Sequence, residues 1–382
     1  MALDLSLPRA GLPSSQRRAF SHYPWHVAFL VAGIAALGVW NLASASRSAQ
    51  APLWMSQLSM SQLSWMGAGA AIALGIGLVD YRRFMRGAYV FYAVVLVLLV
   101  AVLLKGRVIM GARRWLTFGP VNFQPSELAK IAVALALARW FHMDAGKRKD
   151  GYGLLGLAVP AAMTLVPALL VLKQPDLGTA LIVVAVGATM ILFARVRWQA
   201  LVAVGVVVVA GAVFAYPHLK PYQRKRVETF LNPEGDVLGA GYHATQSMIA
   251  VGSGQGLGKG WGQGTQTLLS FLPEQHTDFI FSVWAEEHGF VGCLLLLALY
   301  YALIVSALGI AGDARDRFGH FLAIGVTGML FWHAFINMGM VTGLVPVVGV
   351  TLPLMSYGGS SVMAVMIGIG LLNNVAMRRF VN

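Results

Sequence analysis

Three titratable residues fall within five positions in the string FLPEQHTDFIF: Glu274, His276 and Asp278, immediately before an apolar run that opens at Phe279. A carboxylate at the mouth of a membrane span is costly unless it is paired or functional. Asp278 has the chemistry of a general base. Carboxylates with water also suit a hard ion such as Mg²⁺, whereas the alternating spacing does not match a zinc site. The plainer alternative is that Asp278 N-caps the following helix. Glu286 lies eight residues on, roughly on the Asp278 face, beside Glu287. Both glutamates read either as intramembrane functional groups or as near-surface groups of a helix that starts in the interface.

Other segments carry similar signals. In GARRWLTFGPVNFQPSELAKIA, Arg113 and Arg114 precede Trp115 and Phe118, an amphipathic interfacial pattern or simply aromatic-belt residues. Pro125 breaks the chain, Ser126 can cap the helix after it, and Glu127 and Lys130 share one helical face. That pair either fixes the helix orientation or faces a polar cavity. KQPDLGTA places Lys173 and Asp176 in a tight turn, and GVTLPLMSYGGSS supplies Ser356, Tyr357, Gly358, Gly359 and Ser360. Small and hydroxyl residues there allow close helix packing or line a cavity. Around Lys259, alternate positions from Gly252 to Gly264 are glycine. The pattern is not a Walker motif, so a phosphate-cradling loop stands against an irregular loop packed on a bundle.

These residues need a membrane scaffold. Of 382 residues 58% are hydrophobic and 11% charged, against about 25% charged in a soluble domain. The expected fold is an all-α integral membrane bundle of ten spans, with cores at Trp25–Ala43, Leu63–Val79, Gly87–Leu104, Glu127–Phe141, Leu154–Leu172, Leu177–Phe193, Ala200–Ala215, Phe281–Ile310, Phe321–Val341 and Tyr357–Met377. Residues 1–24 form an N-terminal tail, 25–382 one membrane domain, and 217–278 a long extracytoplasmic loop before the eighth span. The first run lacks a convincing cleavage site and reads as a retained span.

With the N-terminus in the cytoplasm, Arg82, Arg83 and Arg86, Arg139 and Lys147–Lys149, Arg195 and Arg197, and Arg378 and Arg379 fall on the cytoplasmic side, so both termini are cytoplasmic. Lys105, Arg107, Arg113 and Arg114, and Lys220, Arg224, Lys225, Arg226 and Lys259, sit outside against the rule. They suit an anionic ligand or lipid headgroups. The net charge of +13 is scattered between apolar runs, which argues against nucleic acid. The single cysteine, Cys293, is read as a small buried residue and leaves the redox compartment unreadable.

The strings GARRWL, FGPVNFQPSELAK, QPDLGTA, GYHATQSMIAVGSGQGLGKGWGQGTQ, FLPEQHTDFIFSVWAEEHGFVG and LVPVVGVTLPLMSYGGSS, in this order, resemble the SEDS family of lipid-linked peptidoglycan glycosyltransferases. GKGWGQGTQ with FLPEQHTDFIF looks like the RodA branch rather than the FtsW branch. The first spans match only in hydrophobicity.

The resemblance implies ten spans and polymerisation of lipid II into glycan strands during cell elongation, at the periplasmic face of the bacterial inner membrane. It puts the essential aspartate on Asp278, as acid/base or metal-holding group, and family positions on Trp115, Glu127, Lys130 and Asp176. Arg113, Arg114, Lys259, Ser356 and Ser360 join these as expected substrate contacts. The cofactor question stays at a divalent cation, Mg²⁺ or Mn²⁺, with the metal ligands unknown. Expected partners are lipid II, the growing strand, a class B penicillin-binding protein and the elongation machinery. The alternatives are a lipid II flippase or other transporter, and a non-catalytic scaffold for the transpeptidase. Trp284 and His288 depart from the family pattern without touching its motif positions.

Overall fold

The computed structural model describes residues 22–46, 56–109, 112–118, 121–144, 151–218, 223–224, 228–230, 240–269, 271 and 274–379. Ten long helices coincide with the ten apolar runs: α1 (Trp25–Ala45), α2 (Gln57–Leu78), α3 (Tyr81–Lys105), α4 (Pro125–Met143), α5 (Leu154–Lys173), α6 (Leu177–Leu192), α7 (Trp198–Ala215), α10 (Ile280–Gly312), α11 (Arg317–Val341) and α12 (Gly359–Met377). Two shorter helices, α8 (Ala240–Ser253) and α9 (Thr265–Leu268), lie before α10. Among the described residues seven helices are long and apolar enough to cross a membrane, and α6 and α7 are shorter apolar helices. Of the N-terminal tail residues 22–24 are described, and of the 217–278 loop residues 217–218, 223–224, 228–230, 240–269, 271 and 274–278. Lys220, Lys225, Arg226 and Lys147–Lys149 lie outside the described residues.

The centre is α11, packed against α4, α6 and α10, with α3 on α4 and α12 along α2. A 19-residue helix such as α4 spans roughly 28 Å, about the hydrocarbon thickness. It is buried on nearly every face, including Glu127 and Lys130. The edge helix α7 exposes a run of valines and Phe214, as a lipid-facing helix does.

One addition to the all-α expectation is a small antiparallel sheet between α3 and α4: β1 (Arg107–Ile109), β2 (Ala112–Phe118) and β3 (Val121–Phe123), ordered β1-β2-β3. Arg107, Arg113, Arg114 and Trp115 therefore sit on a pleated hairpin. The helical-pattern reading missed it because the strands are only three to seven residues long.

The glycine-rich stretch is an irregular loop that docks into a break in α10. Gly289 adopts φ +62°, which interrupts the helix. The backbone N–H groups of Lys259 and Gly260 donate to the carbonyls of Glu286 and Glu287, each at 3.0 Å, while Phe290 and Val291 donate to those of Gln255 and Gly256 at 2.8 and 3.1 Å. Irregular backbone inside a membrane is tolerated only when its polar groups are satisfied in this way. The approach is so close that a Cβ on Gly258 would lie 2.1 Å from the Glu287 carbonyl oxygen. Glycine density here serves backbone contact with a broken helix.

Candidate functional site

The turn Glu274–Phe279 is held from three directions. From α1, Asn41 donates to the Ile280 carbonyl at 3.0 Å and Gln275 donates back to the Ala45 carbonyl at 2.9 Å. From α11, Asn337 donates to the Asp278 carbonyl at 2.9 Å and to the Val350 carbonyl at 2.6 Å. From the segment before α12, the Ser356 hydroxyl donates to the Thr277 carbonyl at 2.6 Å, and the Tyr357 N–H donates to the His276 carbonyl at 2.9 Å. Asp278 does not cap α10, because the cap position falls on Phe279. Its carboxylate points towards Gly349, whose Cβ, if present, would sit 3.1 Å from Asp278 Oδ2.

Asp278 lines a cavity of about 670 Å³ at the end of the bundle where α4, α6, α10 and α12 begin. Arg114 and Trp115 from β2, Asn122 and Gln124, Glu127 from α4, Asp176, His276, His333 from α11, Gly349, Tyr357 and Ser360 complete the wall. Arg114 is anchored by donating from Nε to the Gln174 carbonyl at 3.3 Å and from Nη2 to that of Pro175. Gln124 bridges the wall, donating its amide to Asp176 Oδ2 at 3.0 Å and its backbone N–H to the Ser360 hydroxyl at 3.3 Å. Asp176 also accepts from the Thr179 N–H at 3.2 Å, capping α6. Arg114 is a cation for an anionic group, Trp115 and Tyr357 are aromatic faces, and Asp278 is a carboxylate able to take a proton, all around one hollow. A larger groove of about 830 Å³ between α1 and α2 is lined almost wholly by apolar side chains.

The model of the FtsW/RodA/SpoVE family, described as cell cycle proteins, matches residues 23–380. The chain belongs to this family. It is 44% identical to the peptidoglycan glycosyltransferase MrdB of Escherichia coli K12 over 83% of this chain and 85% of that protein. It is 31% identical to the peptidoglycan glycosyltransferase RodA of Treponema pallidum, covering 95% of this chain and 99% of that one. Its fold matches a chain solved in a study of polymerisation and crosslinking by a peptidoglycan synthase complex, with a TM-score of 0.80 and 36% identity over 94% of this chain and 99% of that chain. RodA of Thermus thermophilus follows at 0.68 and 34%, over 94% and 98%. With the family come the multi-pass membrane bundle and peptidoglycan glycosyltransferase activity.

Within this family fold the cavity brings together Arg114, Trp115, Glu127, Asp176, Asp278 and Ser360. Four other expected substrate contacts lie elsewhere. Arg113 is exposed on β2. Lys130 is 1% exposed and sits behind Glu127, donating to Glu127 Oε2 at 2.8 Å. Ser356 is a buried bracket that accepts from the Leu352 N–H at 2.7 Å while donating to Thr277. Lys259 pairs with Glu286 Oε1 at 2.7 Å.

Glu286 and Glu287 are buried anchors for this region. Glu286 also accepts from the Gln266 N–H at 3.1 Å and from Thr265 and Thr267, while the Ser44 hydroxyl of α1 donates to Glu287 Oε1. Ser126 does not cap α4, whose cap position is Gln124 with Pro125 in the first turn. Trp284 and His288 stack on each other at 3.8 Å beside the Gly289 break. Neither lines the cavity.

Sequence reasoning missed Gln124, His333, Asn337 and Gly349. His333 and Asn337 were readable in principle, since they form an i, i+4 pair of polar residues inside an apolar span. Gly349 carries φ +74°, which no residue pattern announces. Among the described residues no three His, Cys, Asp or Glu gather to hold an ion. Glu127 is committed to Lys130 and Asp176 to Gln124 and Thr179.

Proposed function

We propose that this cavity couples sugars on lipid II at the periplasmic face of the bacterial inner membrane, with both termini in the cytoplasm. The observation that supports it is the placement of Asp278, in a turn held from α1, α11 and the segment before α12, in one hollow with Arg114 and Trp115.

An acceptor sugar hydroxyl is a weak nucleophile, and Asp278 takes its proton as the new glycosidic C–O bond forms. The bond from the donor's anomeric carbon to the pyrophosphate breaks on the opposite side, and undecaprenyl pyrophosphate leaves with the electron pair. Arg114 stabilises that leaving charge, as a preorganised cation in a water-poor site does. Trp115 and Tyr357 offer faces for sugar rings. An α-linked donor gives a β-linked strand by this single displacement, with one base and no covalent intermediate. Lys130 shapes the site through Glu127, while Lys259 and Glu286 hold the glycine-rich loop on α10.

Lipid II and the growing strand are the substrates. A class B penicillin-binding protein is the partner this reading expects, with the outer parts of α10 and α11 as docking faces. Purified chain reconstituted in liposomes with lipid II tests the reading. Glycan strands support it, whereas movement of lipid II between leaflets without strand formation would replace it with transport.

A further inference from the structure

We infer that His333 is a positioning residue of this site, holding the Lys130 ammonium against Glu127 through a neutral imidazole whose hydrogen is on Nδ1. Lys130 Nζ lies 2.8 Å from Glu127 Oε2 and 2.8 Å from His333 Nε2. An ammonium can only donate, so Nε2 must present its lone pair. The hydrogen is then on Nδ1, which lies 3.0 Å from the Thr351 carbonyl oxygen and donates to it. One backbone carbonyl thereby selects the tautomer that lets the other ring nitrogen accept.

Two consequences follow from that arrangement. The imidazole gives Lys130 a second acceptor without a second negative charge, so the buried cation is balanced by one carboxylate. It also fixes which group faces the cavity: Glu127 and His333 line it, and the ammonium stays behind them. One turn further along α11, Asn337 donates to the Val350 and Asp278 carbonyls. The same helical face therefore sets both the Glu127–Lys130 pair and the Asp278 backbone, against the adjacent carbonyls of Val350 and Thr351. A histidine in mid-span is expensive and needs such a reason.

The inference rests on the cavity being the site of sugar coupling, and its test separates the two. The full chain, labelled with ¹⁵N-histidine and reconstituted in bilayers, is read by solid-state NMR, with His333 assigned by its loss in His333→Gln. A neutral ring protonated on Nδ1, whose Nε2 resonance moves in Lys130→Met, is the expected result. An Nε2–H tautomer or an imidazolium overturns the inference, whatever the fate of the Asp278 assignment.

Polymerisation of lipid II supplies the second arm. Glutamine offers one acceptor and one donor, so His333→Gln should stay within about threefold of the parent turnover. His333→Leu strands the Lys130 donor and should lower kcat about ten- to a hundredfold, with KM for lipid II nearly unchanged. A His333→Leu rate equal to the parent, or a His333→Gln rate as low as His333→Leu, overturns it. Should His333→Leu fail to fold, the tautomer decides.

Discussion

Removing the Glu286 carboxylate should release the glycine-rich loop from α10. Glu286 has no exposed surface and receives four donors: Lys259 Nζ at 2.7 Å, the Gln266 N–H at 3.1 Å, and the hydroxyls of Thr265 and Thr267 at 3.2 and 3.4 Å. In Glu286→Ala, Lys259 and Thr265 can turn to water because both keep solvent access. The Gln266 amide and the buried Thr267 hydroxyl lose an acceptor, and each such loss costs about 1–3 kcal/mol. The sum, roughly 2–6 kcal/mol, brackets the cost of about 3–5 kcal/mol for removing one partner of a buried ion pair. Glu286→Gln keeps an acceptor for Gln266 and loses the charge, a change of about 1–2 kcal/mol.

Hydrogen exchange in bilayer discs reads this directly at the amides of Lys259 and Gly260, which are bonded to the broken helix. At about 1.4 kcal/mol per decade, Glu286→Gln should speed their exchange roughly tenfold and Glu286→Ala a hundredfold or more. Amides of α11 should not change. Unaltered exchange at Lys259 and Gly260 in Glu286→Ala would refute the clip. If Lys259 instead contacts substrate, Lys259→Met should lower polymerisation while loop exchange stays slow.

Three further outcomes are expected. Gly289→Ala places a Cβ 2.3 Å from the Gly258 nitrogen at φ +62°, so the loop should undock and limited proteolysis should cut within residues 254–264. Gly349→Ala crowds Asp278 Oδ2 and sits at φ +74°; a displacement of a few tenths of an ångström should lower kcat up to about tenfold with folding retained, measured by strand formation. Asn337→Leu leaves the Asp278 and Val350 carbonyls without their donor, at a cost of about 1–3 kcal/mol each. It should slow turnover and lower the thermal midpoint in detergent.

Helix positions were legible because apolar length is a strong signal: each of the ten runs became a helix, with ends within four residues of those expected except at the starts of α2 and α3, which lie six residues earlier. The site was legible where polar residues interrupt span ends, as at Asp278, Glu127, Asp176 and Ser360. It was illegible where function depends on depth. Glu127 and Lys130 share a helical face, yet only packing against α11 puts the carboxylate in the cavity and the ammonium behind it. Lys259 and Glu286 are 27 residues apart, and nothing in their spacing pairs them. Gly349 and Asn337 act on Asp278 through backbone conformation and a carbonyl, which residue type does not encode. The hairpin carrying Arg114 escaped a reading tuned to helical periods because its strands are so short.

Asp278→Asn keeps the volume of the side chain and removes its basicity. Strand formation from lipid II by this variant, reconstituted at the parent's level and with the parent's thermal midpoint, tests the account most directly. A fall of about a hundredfold or more is predicted, the usual worth of a positioned base. Strand synthesis at the parent's rate would contradict it.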